Sequence, residues 1–224
     1  HAGAFQPFAV PASGAPRASI VIPVYNQAAH TLACLRALAE HPPTTACEII
    51  VVDDGSHDET HAWMPQITGL RYHRRAVNGG FIAACNDGAS RATGDCLVFL
   101  NNDTVPQPGW LDALLATFDA HPEVGLVGAQ LIYPDGRLQE AGGVVFNDGS
   151  AWNYGRFDSP DDPRYASVRD ADYCSGAAIA VRAALFEEVG GFDTRYAPAY
   201  YEDTDLAFAL RVLGHRVLYQ PASR

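Results

Sequence analysis

Residues 19–41, "SIVIPVYNQAAHTLACLRALAEH", decide the fold. The opening "SIVIPVY" is a short β-branched apolar run, the composition of a strand buried on both faces. After Asn26, a candidate N-cap, leucines at 32, 35 and 38 recur near the helical period. This is one β–α unit. "CEIIVVDD" at 47–54 repeats the strand pattern, and Ser56 with Glu59 spells a capping box for a second helix that Pro65 should interrupt. After a short strand near 70–73, "NGGFIAACNDGASRATGD" at 78–95 predicts a turn and a helix, and "CLVFL" at 96–100 the next buried strand. Strands alternating with helices specify an α/β fold, a mostly parallel central sheet with helices on both faces. Ligands of such sheets gather beyond the carboxyl ends of the strands. Tyr25, Asp53, Asp54 and Asn101–Asp103 all fall at such ends.

Outward from these units the pattern changes. "PGWLDALLATFDAHP" predicts a helix and "VGLVGAQLIY" a strand, whereas 134–172 is dense in Gly, Asp, Pro and aromatics, which predicts hairpins and long loops that would carry specificity. "YCSGAAIAVR" at 173–182 reads as a strand, "AALFEEVGGF" as a short helix stopped by glycines, "EDTDLAFALRVLGH" as a final helix and "RVLYQ" as the last strand. Residues 1–18, rich in Ala, Pro and Gly, are expected to be a linker or surface arm, and 19–224 one domain. The start at His1 and the end on "YQPASR" suggest an excised fragment, truncated at its C-terminal end and joined to further domains of a parent chain.

At 224 residues there is enough chain for one sizeable core. A formal charge of −11, with only 15 basic residues, argues against nucleic acid as a partner, because neutralising phosphates takes clustered Lys and Arg. No stretch approaches the roughly 20 apolar residues of a membrane span, so the chain reads as soluble. Five scattered cysteines without a CxxC pair suggest neither a disulfide framework nor a zinc site, and a reducing, cytoplasmic setting fits them.

Three acidic clusters could carry chemistry. In "VVDDGS", Asp54, Gly55 and Ser56 suit a tight turn and a helix cap; a carboxylate at that strand end also suits the N–H of a nucleobase or sugar hydroxyls. In "LNNDT", Asp103 either caps the next helix or holds a hard divalent cation, Mg²⁺ or Mn²⁺, against a diphosphate that completes its oxygen shell. In "YEDTDL", Glu202, Asp203 and Asp205 suit the positive end of a helix dipole; a cleft carboxylate there could also act as general base toward an acceptor hydroxyl. His57 and His61 are four apart, but Asp58 follows the first where a zinc-protease pattern needs Glu, so surface histidines are expected.

Taken in order, "SIVIPVYN", "EIIVVDDGS", "NGGFIAACNDGASRATGD", "FLNNDT", "YCSGAAIAVR", "GGFD" and "YYEDTDLAFALRVLGHRV" resemble the inverting family 2 glycosyltransferases of GT-A fold, from about Ser19 to the last residue. The nearest likeness is to bacterial rhamnosyltransferase-like and O-antigen or cell-wall polysaccharide transferases. The resemblance implies a nucleotide-sugar donor, dTDP- or UDP-linked, and a glycan or lipid-linked saccharide acceptor at or near the inner face of the membrane. It implies that Pro23, Tyr25 and Asp54 hold the donor base with Asn78 and Gly79 beside it. Asn102 and Asp103 stand at the family's Asp-x-Asp motif, with Asp103 on the metal, and Asp203 matches the general base with Glu202 next to it. Ser175 and Gly176 match the acceptor side. Asn101 replaces the first acid of the motif, and a further metal-ligating histidine is expected beyond Arg224. A different class of function, a non-catalytic GT-A-like domain that binds a glycan or partner, draws support from Asn101. Retention of Asp54, Asp103 and Asp203 opposes it. A sugar-nucleotide pyrophosphorylase would want a Gly-rich basic loop after the first strand, which "PVYNQAAH" lacks.

Overall fold

The apolar runs become the inner strands of one eight-stranded sheet in a computed structural model that describes residues 5–224. Strands β1 (Ala18–Val24), β2 (Cys47–Asp53), β3 (Leu70–Arg74) and β4 (Cys96–Leu100) pair in parallel in the order β4-β1-β2-β3. They are connected by α1 (Ala28–Glu40), the single-turn α2 (Thr60–Trp63) and α3 (Phe81–Arg91). Helix α4 (Trp110–Ala120) leads into β5 (Val124–Ala129). Next come two small hairpins, β6 (Leu131–Ile132) with β7 (Leu138–Glu140) and β8 (Gly143–Val145) with β9 (Ala151–Asn153). The chain ends with β10 (Arg169–Asp170), β11 (Ala178–Arg182), α5 (Ala183–Glu188), α6 (Glu202–Val212) and β12 (Arg216–Gln220). The sheet order is β10-β12-β5-β11-β4-β1-β2-β3, with β10 and β11 antiparallel to their neighbours and the rest sharing one direction. The expected mostly parallel α/β sheet is therefore the one observed.

Period-two alternation divides the core between the two faces. Ile20, Ile22, Ile49, Val51 and Val98 meet Leu35, Leu38, Leu111, Leu114 and Phe118 of α1 and α4 on one side. Val21, Ile50, Val52, Leu97 and Phe99 meet Ile82, Cys85, Phe186, Leu206 and Leu210 of α3, α5 and α6 on the other. All five cysteines are buried and free, as their spacing suggested. Gly88 lets α3 lie close on the sheet: a Cβ there would sit 2.3 Å from Val21 Cγ1.

Local expectations fail where a tertiary partner supplies the hydrogen bond instead. The residue before α1 is Gln27 rather than Asn26, and both are left-handed. Asp58 Oδ2, from the loop after β2, accepts from Ala28 N at 2.9 Å, while Asn26 Oδ1 accepts from His57 N at 2.8 Å. The Ser56–Glu59 capping box does not form, since Ser56 Oγ accepts from Asn26 N at 2.7 Å and Glu59 makes no side-chain cap. The two loops cap each other across the sheet edge. "VGLVGAQLIY" breaks at Gln130 into β5 and β6, and in "YCSGAAIAVR" the strand begins only at Ala178, after an isolated bridge between Tyr173 and Gly143 and a turn at Gly176 and Ala177. Of the expected N-terminal arm, residues 1–4 lie outside the described residues; 5–17 dock, with Val10 N donating to Thr68 O at 2.9 Å and Phe5 stacked on Trp63.

Candidate active site

Because β11 runs antiparallel to β4, the turn that precedes β11 arrives beside the carboxyl end of β4. Asn101 N donates to Ala177 O at 2.9 Å, which fixes Ser175 and Gly176 next to "NNDT". Gly176 N in turn donates to Asp203 Oδ2 at 2.9 Å, and Asp203 Oδ1 accepts from Thr204 N at 2.7 Å. Backbone amides thus hold the carboxylate of the expected base at the start of α6. Asn101, Ser175, Gly176, Glu202 and Asp203, far apart in sequence, all line one cleft of 410 Å³.

Tyr200 and Tyr201, also on the cleft wall, both hold left-handed backbones, at φ 83° and 67°. Such conformations cost on the order of 1–3 kcal/mol each for residues with a Cβ, and they cluster at functional sites. Glu202 is buried, its Oε2 meets no partner, and burial raises its pKa, with the neighbouring Asp203 adding to the rise.

One cleft residue escaped the sequence reading. Glu140, at the end of β7, is 1 % exposed; its Oε1 accepts from Ser175 N at 2.8 Å and its Oε2 has no partner. Burial pushes its pKa up to about 7, opposed by the Ser175 amide and reinforced by the Asp203 charge. Burial raises the Tyr173 phenol as well, with the charges of Glu140 and Asp203 adding to the rise. A signal existed in the sequence: in "LQE" Leu138 and Glu140 alternate onto the same buried face, so a charge falls on an apolar stripe.

The other candidates lie beyond the cleft wall. Pro23 sits in β1 and Tyr25 just after it, 48 % exposed and so open to a ligand. Asp54 is buried, bound to Arg75, and accepts from Gly79 N at 3.0 Å and Gly80 N at 2.7 Å. Its carboxylate here braces the turn that carries Asn78 and Gly79. Gly80 needs its left-handed φ of 85° and its missing side chain, since a Cβ would lie 2.9 Å from Pro198. Through that contact the turn abuts the loop leading to Tyr200.

Asn102 Nδ2 donates to Thr31 Oγ1 at 3.0 Å, and Asp103 is exposed. Asp103 and the Asn102 amide oxygen are hard oxygen ligands, the donor type Mg²⁺ and Mn²⁺ prefer. Among the described residues no group of three His, Cys, Asp or Glu side chains converges into a metal-holding cluster. The donor set therefore fits an open site whose shell a diphosphate and water would complete.

The family model of glycosyl transferase family 2 matches residues 19–189. The chain belongs to this family. It is 30% identical over 224 residues to the O-antigen biosynthesis protein RfbC of Myxococcus xanthus, covering 96% of this chain and 17% of that protein. It is 27% identical over 230 residues to an N-acetylglucosaminyl-diphospho-decaprenol L-rhamnosyltransferase of Mycobacterium tuberculosis, covering 91% of this chain and 73% of the relative. Among solved structures, GalNAc-T7 with UDP, GalNAc and Mn²⁺ shares the fold at a TM-score of 0.75 and 18% identity, over 93% of this chain and 42% of that one. The chain spans less than half the length of several curated relatives it matches. No helix among the described residues is long and apolar enough to cross a membrane.

Proposed function

We propose that this glycosyltransferase domain moves a sugar, with inversion, from a dTDP- or UDP-linked donor to a glycan or lipid-linked saccharide in cell-surface polysaccharide synthesis, on the cytoplasmic side of the membrane. The observation that carries the reading is the hydrogen-bonded path from Asn101 through Ala177 and Gly176 to Asp203, which links the "NNDT" strand end to the carboxylate of the 410 Å³ cleft. Asp203 takes the proton of the acceptor hydroxyl as its oxygen bonds to the anomeric carbon. The bond from that carbon to the diphosphate breaks on the opposite side, and its electron pair leaves with the nucleoside diphosphate. The Gly176 and Thr204 amides keep Asp203 oriented for this proton transfer. Tyr25, Pro23 and the Asp54-braced turn with Asn78 and Gly79 form the donor side, and Ser175 and Gly176 the acceptor side. Asp103 with Asn102 would hold Mn²⁺ or Mg²⁺, which when bound supplies neutralising charge to the departing diphosphate.

Thermal shift with UDP-, dTDP- and GDP-sugars, with and without Mn²⁺, tests this on the wild type and Asp103→Ala. At a hundredfold excess over Kd, one ligand stabilises its protein by about 2.7 kcal/mol. The expected result is stabilisation by at least one donor with Mn²⁺ and its loss in Asp103→Ala; no stabilisation by any donor contradicts the reading. The second reading, a non-catalytic glycan-binding domain, draws on Asn101 in place of an acid and predicts glycan binding without release of nucleoside diphosphate.

A further inference from the structure

The cleft contains a carboxyl group that the proposed displacement does not use. Glu140 reaches it from β7, an element unconnected with the helix that carries Asp203, and the two acids hang from consecutive backbone amides: Ser175 N donates to Glu140 at 2.8 Å and Gly176 N to Asp203 at 2.9 Å. The two acids line the same cleft, and the Asp203 charge adds to the rise of the Glu140 pKa. Asp203 has both oxygens engaged by amides, whereas Glu140, which lines the cleft, keeps a buried Oε2 without a hydrogen bond. Leaving a buried polar atom unpaired costs free energy that a hydrogen bond from a ligand would recover. Tyr200 and Tyr201, 83 % and 48 % exposed, offer aromatic faces at the rim of the same cleft.

We propose that Glu140 is an acceptor-binding residue that selects a vicinal diol: its free Oε2 takes the hydroxyl adjacent to the one that Asp203 deprotonates. The assignment rests on the transferase reading, with Asp203 as the base. Two carboxyls held by consecutive amides in one cleft match two neighbouring hydroxyls of one sugar ring, and a lone hydroxyl satisfies only one of them. With a pKa near 7 Glu140 is available both as the acid, which donates to a hydroxyl oxygen, and as the carboxylate, which accepts from it. Its role is recognition; the proton of the attacking hydroxyl goes to Asp203.

The test uses saturation-transfer NMR on the protein with Mn²⁺ and either UDP or dTDP. Probes are methyl α-L-rhamnopyranoside, methyl β-D-galactopyranoside and methyl β-D-glucopyranoside, each beside monodeoxy counterparts lacking one ring hydroxyl. The expected result is that at least one parent glycoside binds the wild type roughly tenfold or more tightly than a deoxy counterpart, the scale of one hydrogen bond to a buried or charged group. In Glu140→Ala that ratio should fall to about one, and Glu140→Gln, whose amide can donate, should restore part of it. A merely structural role would weaken parent and deoxy probes equally and leave the ratio unchanged. No glycoside binding to the wild type, equal binding of parent and deoxy probes, or an undiminished ratio in Glu140→Ala would each overturn the assignment. Nucleotide binding in the same samples separates the two claims. If neither UDP nor dTDP binds, the donor reading itself fails; if one binds and the ratio is flat, only the Glu140 assignment falls.

Discussion

Replacing Glu140 with Gln should make the protein less sensitive to rising pH. The folded state holds the Glu140 proton up to a pKa of about 7, against an ordinary value of 4.5, because burial outweighs the single amide bond from Ser175. Between those two values the unfolded chain gives up the proton and the folded chain keeps it, so this group's contribution is full below pH 4.5 and lost as pH rises toward 7. At about 1.36 kcal/mol per pH unit the whole loss is on the order of 3 kcal/mol, most of it between pH 5 and pH 8. Gln is close in shape and does not titrate, so the variant-minus-wild-type stability should grow by that amount across the window. For a chain of this size that corresponds to roughly 5–10 °C in Tm. Urea unfolding of both proteins at pH 5, 6, 7 and 8 reads the difference directly, and the raised Glu202 carboxyl, present in both, cancels. A difference in stability that stays flat with pH would refute the reasoning, since Glu140 would then be ionised in the folded state.

Other outcomes follow from the same geometry. Asp203→Asn should lower transfer by about 10²–10⁴-fold while leaving donor affinity within a factor of two, read by steady-state kinetics beside nucleotide titration. Asp54→Ala strips the brace from Gly79 and Gly80 and leaves Arg75 with Asp87 as its remaining carboxylate, which should cost about 2–4 kcal/mol in urea unfolding and weaken donor binding. Unchanged stability would mean that the turn holds itself. Gly88→Ala puts a methyl 2.3 Å from Val21 Cγ1 and should cost about 1–3 kcal/mol by the same assay.

How much of this was legible in the sequence depended on the range of the interaction. The strands β1, β2, β4 and β12 and the helices α1, α3, α4 and α6 came from local periodicity, which is a property of one segment. The capping box at Ser56 and the N-cap at Asn26 were misread because each side chain serves the other loop, 30 residues away, and pattern alone carries no sign of that. "YCSGAAIAVR" reads as strand along its length because apolar residues dominate it. The strand begins only at Ala178, because the Ser175 and Gly176 amides donate instead to Glu140 and Asp203, which is a tertiary fact. Asp203, Glu202 and Asn101 were visible as acids and amides at element ends, and the structure joins them in one cleft. Glu140 was missed because it lies in the loop-rich segment 134–172, where its alternation with Leu138 spans only three residues.

The central claim, that Asp203 serves a sugar transfer in this cleft, is tested most directly by release of nucleoside diphosphate. Wild type and Asp203→Asn are incubated with Mn²⁺ and each of the UDP-, dTDP- and GDP-sugars, with the methyl glycosides as acceptors. The account predicts release from at least one donor by the wild type, with release by Asp203→Asn reduced at least a hundredfold although that variant still binds the donor. No release by the wild type, or equal release by Asp203→Asn, would contradict it.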